Sequence, residues 1–74
     1  MIDPTSMRPV EWTDRMSLLL PDVLPLKIDR DEDWRAWARH VIQSPTVSAR
    51  NPPNPDQFSE WLDWAYRFNE TVFT

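Results

Sequence analysis

The stretch Trp34-Arg35-Ala36-Trp37-Ala38-Arg39-His40-Val41 returns 27 residues later as Trp61-Leu62-Asp63-Trp64-Ala65-Tyr66-Arg67-Phe68, so both copies read Trp-x-x-Trp-Ala-x-x-apolar. Positions three, four and seven apart share one face of an α-helix. One helical pattern therefore places four of the five tryptophans. The spacing predicts two tryptophan-faced helices, over 30–43 and 55–72, meeting through Trp34, Trp37, Ala38, Val41, Trp61, Ala65 and Phe68. The alanines permit close approach of the two helices, and the flanking indoles fill the space beside them.

Working outward, Asp29 with Glu32 three positions later reads as a helix cap, and Asp31 and Asp33 add negative charge to the first turn. Ser44-Pro45 ends that helix. The second helix has a stronger start: Asn54 as cap, Pro55 at the first position, then Asp56 and Gln57. Phe58, Trp61, Leu62, Ala65, Phe68 and Val72 form its stripe, and Trp64 widens the stripe beyond one packed neighbour. Upstream, residues 1–8 read as an irregular arm, and Pro9 opens a short helix over 9–20 with Trp12, Met16 and Leu19 at helical spacing. Pro21 and Pro25 forbid its continuation, so 21–28 is expected as an extended strap, and 44–54 as a proline-stiffened extended connector. The expected architecture is a single domain over 1–74: all-α, a small two- to three-helix assembly with proline-rich extended arms and connector.

Composition narrows the possibilities. A 74-residue chain without cysteine and with one histidine has no disulfide or Cys/His zinc staple, so aromatic packing or a partner must stabilise it. Zero glycine disfavours tight hairpins, and eight prolines punctuate the chain instead. The balance of 41% hydrophobic and 27% charged residues is that of a folding chain. A net charge of −4 disfavours phosphate-backbone binding, so nucleic acid is not an expected partner. No apolar run approaches the roughly 20 residues that span a bilayer, and Met1-Ile2-Asp3-Pro4 lacks the basic region of a secretory signal, so no membrane partner is expected.

No catalytic constellation emerges. The run Asp29-Arg30-Asp31-Glu32-Asp33 opens like a calcium loop, but Trp34 stands where the sharp glycine turn belongs and His40 where the bidentate acid belongs. His40 has no nucleophile positioned beside it by motif. Neither a metal nor a cofactor is expected, and no enzymatic role. Pro52-Pro53-Asn54-Pro55 is accounted for as a stiff connector and a helix start. What remains is binding. Each aromatic ring brings about 150–250 Å² to bury, which short helices struggle to enclose, and exposed tryptophan with arginine is the composition of interface hot spots. The expected partner surface is Trp12, Arg15, Val23, Leu24, Leu26, Ile28, Trp64 and Arg67, with the two indoles as anchors and the arginines at the rim.

The Trp-x-x-Trp-Ala unit, preceded in its second copy by Asn54-Pro55-Asp56-Gln57-Phe58, resembles a pattern in very short proteins encoded among the virion genes of tailed bacteriophages. Those proteins often read Pro-x-x-Phe-x-x-Trp-x-x-Trp-Ala. The resemblance covers about twenty residues around 54–72 and more faintly 29–42, where Ile28 and Asp31 replace the proline and phenylalanine. It implies a virion or tail accessory protein, bound to a larger protein of the particle, with the virion as its location and the cytoplasm otherwise. The alternative expectation is a small acidic inhibitor whose carboxylates imitate phosphates before a basic cleft of a host protein.

Overall fold

The computed structural model describes residues 3–20 and 26–73. Among them the fold is all-α, with four helices and no strand: α1 Pro9–Leu19, α2 Trp34–Val41, α3 Pro45–Ser48 and α4 Trp61–Val72. Short 3-10 turns at Pro4–Ser6, Asp31–Asp33 and Pro55–Gln57 precede α1, α2 and α4.

Proline at the first position starts α1, and Leu20, out of helical geometry at φ −118° and ψ 82° ahead of Pro21, ends it. Asp3 caps the turn before it, its carboxylate accepting from the Thr5 N–H at 3.0 Å and the Thr5 hydroxyl at 2.7 Å. The arm expected over 1–8 is thus wound into a capped turn along its described part, with Pro4 buried.

The acidic start of α2 differs from expectation. Residues 31–33 tighten into a 3-10 turn, and the regular helix begins at Trp34 with no side-chain cap. The carboxylates are engaged elsewhere: Asp31 takes Arg8 at 3.1 Å, while Arg30 reaches Glu32 at 3.4 Å and Asp33 at 3.5 Å. The connector is corrected as well. Pro45 ends α2 but supplies the first position of a new helical turn, with the Ser48 N–H donating to the Ser44 carbonyl at 2.7 Å. That turn carries Val47 into the core, a burial that an extended chain would forgo. With no glycine in the chain, Asn51 takes the one positive φ among the described residues, 58°, being of a residue type that tolerates it.

The predicted helix over 55–72 is broken. Asn54 caps Pro55–Gln57 as expected, its side chain accepting from the Asp56 N–H at 3.0 Å, but Phe58 is extended and α4 starts at Trp61. Arg35 of α2 provides the reason. Its guanidinium donates to the Phe58 carbonyl and, at 3.4 Å, to the Pro55 carbonyl, two acceptors that a continuous helix would spend on its own amides.

The core is an aromatic cluster centred on Trp12. Its ring lies 5.5 Å from Trp37 and 5.9 Å from Trp61, Trp64 and Phe68, mostly edge to face, the arrangement that brings positive ring edges onto negative faces. Met16, Leu20, Ile28, Val41, Val47 and Val72 close around it. The expected meeting of α2 and α4 is made through rings, Trp34 to Trp64 at 6.0 Å and Trp37 to Phe68 at 6.4 Å. The broad backbone approach is instead that of α1 on α2. The chain exposes 4708 Å², against about 4,800 Å² for a folded monomer of this mass.

Candidate functional site

The two expected indole anchors are core residues. Trp12 and Trp64 are each 1% exposed. Trp64 also donates its Nε1–H to the Pro53 carbonyl at 2.9 Å, which ties α4 to the proline segment before it. The correction has a packing cause: the break at 58–60 lets α4 turn Trp64 and Phe68 inward together, rings 4.9 Å apart, and leaves Trp61 half-buried at the margin. Neither indole offers a partner a surface. Ile28 is also corrected, since it is buried in the same cluster.

The remaining predicted positions divide. Arg15 stands exposed on α1, and Arg67 is exposed on α4 with Glu70 at 3.8 Å. Leu26 is exposed, at 37%. Val23 and Leu24 lie outside the described residues. The structure therefore keeps Arg15, Leu26 and Arg67 accessible and removes Trp12, Trp64 and Ile28 from the surface.

Two apolar areas were missed by sequence reasoning. Leu18 is 85% exposed and Leu19 50%, at the end of α1, while Met16 and Leu20 on the opposite side are buried. The buried face follows Trp12, Met16 and Leu20, a four-residue step, so Leu19 is outside it. The signal was present: three successive leucines span about 200° of a helix circumference, and one neighbour cannot cover them all. The second is Tyr66, exposed on α4, with Phe73 just past the end of the helix, partly exposed while its ring rests 6.2 Å from Phe68. Tyr66, Asn69 and Glu70 there line an open cleft with Asp3 and Pro4.

Arg8, Arg30, Arg35, Arg39 and Arg67 make ion pairs within the fold. Arg39 grips Asp56, its Nε at 3.0 Å from Oδ1, while Arg35 lies with its guanidinium carbon 4.8 Å from the Trp34 ring centre. The carboxylate of Asp3 is held below its usual 3.8 by the Thr5 hydroxyl first and the Thr5 amide second. His40 is half-buried on α2. Among the described residues no group of three His, Cys, Asp or Glu side chains is placed to hold a metal, and no helix is long and apolar enough to cross a membrane. No protein-family model, curated protein or solved structure matches the chain.

Proposed function

We propose that the chain is a non-enzymatic interaction subunit, a minor virion or tail accessory protein that docks on a larger protein of the particle. The observation that carries the docking reading is the pair Leu18 and Leu19, held in water at the end of a helix whose other face is fully packed. Holding two leucines in water forgoes up to about 1.5–3 kcal/mol of burial each, and a partner that covers them recovers it. Leu26 and the rim residue Arg15 belong to the same part of the chain. The Trp-x-x-Trp-Ala resemblance supplies the virion setting. Docking here joins a finished fold to a partner, rather than a partner completing an unfinished core.

The acidic run 29–33 of the inhibitor reading carries its own counter-charges, Arg8 on Asp31 and Arg30 on Glu32 and Asp33, which favours the docking reading. The test of the preferred reading is quantitative mass spectrometry of purified particles, with wild type and with Leu18→Asp/Leu19→Asp supplied in its place. The wild-type chain is expected at a fixed copy number, and the folded double variant at less than a tenth of it. Particles that lack the wild-type chain would remove the virion reading. Normal incorporation of the variant would remove the leucines as the docking surface.

A further inference from the structure

Glu11, Asp14, Arg15 and Leu18 follow the three- and four-residue helical step and share the outer face of α1, opposite Trp12, Met16 and Leu20. All four are exposed, Leu18 to 85%, and Leu19 stands on one flank at 50%. The charges beside Leu18 are unspent. Asp14 and Arg15 make no ion pair or side-chain hydrogen bond among the described residues, whereas Arg8, Arg30, Arg35, Arg39 and Arg67 each do. Being adjacent, the two point about 100° apart and do not face each other. They straddle Leu18 instead, the acid on one side and the base on the other. An apolar knob between opposite charges that have no partner at home is self-complementary, because a second copy supplies what each flank lacks.

We propose that the free chain pairs with a second copy of itself through this face, covering Leu18 until the larger protein takes its place, which rests on the reading of Leu18 and Leu19 as the docking surface. Charge sets the direction of the pair. A two-fold axis parallel to the helices sets Leu18 against Leu18 and crosses the flanks, so Arg15 of each copy meets Asp14 of the other, about 1.5 Å out of step along the helix. That contact forms twice. An antiparallel two-fold pair would keep each flank on its own side, Arg15 by Arg15 and Asp14 by Asp14, and like charges repel. Packed helices cross most often at about 50°, and a crossing at Leu18 carries the two Glu11 side chains, two turns away, apart from each other. The pair is weak by size. An eleven-residue helix is about 16 Å long, and one such face falls well below the roughly 800 Å² per partner of a stable interface. A partner with a fuller surface therefore displaces the second copy.

The test is sedimentation equilibrium of the full chain and of charge-reversed variants, each first confirmed as folded by its circular dichroism. The wild-type chain is expected to show a monomer–dimer equilibrium with a Kd on the order of 0.1–1 mM, the strength of a contact below permanent-interface size. Leu18→Asp should leave a monomer. Arg15→Glu and Asp14→Lys each turn two attractions into two repulsions and should each weaken pairing about tenfold or more. Mixed in equal amounts, the two variants regain opposite charges at both contacts and should pair to within about threefold of wild type. A wild-type chain that stays monomeric, single charge variants that pair as tightly as wild type, or a mixture no tighter than its components would each overturn the proposal. Undiminished pairing of Leu18→Asp would do the same. The two readings fail separately: a monomeric chain that still enters particles loses only the pairing, and a dimer absent from particles loses only the virion reading.

Discussion

Trp12 is the residue on which the fold turns, because its ring is the shared neighbour of Trp37, Trp61, Trp64 and Phe68. Trp12→Ala should cost about 3–5 kcal/mol, the range for deleting a large buried aromatic. A chemical denaturation midpoint would read this directly, and a variant as stable as wild type would refute the central placement of the ring. Its Nε1–H has no hydrogen-bond partner among the described residues, so the neighbouring ring faces are its surroundings. Trp64 is the contrasting case. Its Nε1–H is bonded to the Pro53 carbonyl, and Trp64→Phe should cost on the order of 1–3 kcal/mol through that lost bond and the carbonyl it strands. Asp3 illustrates a third kind of residue effect. Its pKa is depressed in the fold, so the stability it contributes is present above the unfolded value and is lost as pH falls through the folded one. The Asp3 carboxyl carbon followed by NMR should titrate below 3.8 in the native chain, and Thr5→Ala should raise that midpoint toward the ordinary value.

At the scale of elements, the turn Pro55–Gln57 and helix α4 are separated by a single arginine from another helix. Arg35→Met keeps most of the stem that lies along Trp34 but removes the donors to Pro55 and Phe58. Stability should fall by about 1–3 kcal/mol, since two carbonyls lose a charged donor, and amide exchange at 58–62 should quicken or show a lengthened helix. Unaltered exchange through that segment would mean that the break has another cause. The short helix α3 is a similar case of tertiary gain over local preference. Four residues cannot hold a helix alone in water, and Val47 in the core stabilises this one. Val47→Ala should cost about 2 kcal/mol, from two buried methyl groups and the space they leave, measured as a shift in the thermal midpoint.

At the scale of the whole molecule, a core made of indoles lets a short, cysteine-free sequence bury a large apolar area with few residues. The isolated chain should therefore unfold in one cooperative transition, with a strong near-ultraviolet dichroism that vanishes at the same midpoint as the helical signal. Separate transitions would refute a single shared core. Leu18 and Leu19 are outside that core, so the Leu18→Asp/Leu19→Asp chain should still fold, losing about 1–2 kcal/mol from two acids in the last turn of α1, while losing its place on a partner.

Local rules written in the sequence set the helical class and several boundaries: Pro9 opening α1, Asn54 and Pro55 starting a turn, and the repeated Trp-x-x-Trp-Ala placing Trp34, Trp37, Ala38, Ala65 and Phe68 inward. These signals act within one turn of helix, where spacing and proline geometry suffice. Arg15, Leu26 and Arg67 were legible as accessible positions for the same reason, being charged or strapped by proline. What only the tertiary structure decided was the fate of groups with competing partners. Arg35 captures carbonyls twenty and more residues away and breaks a helix whose own start signal was sound. Arg8 and Arg30 draw the acids from the cap of α2. Trp12 and Trp64, alike in sequence to any interface indole, are buried because α1 lays Trp12 between Trp37 of α2 and Trp64 and Phe68 of α4. Their burial is a property of three helices at once, and no periodicity along one helix encodes it.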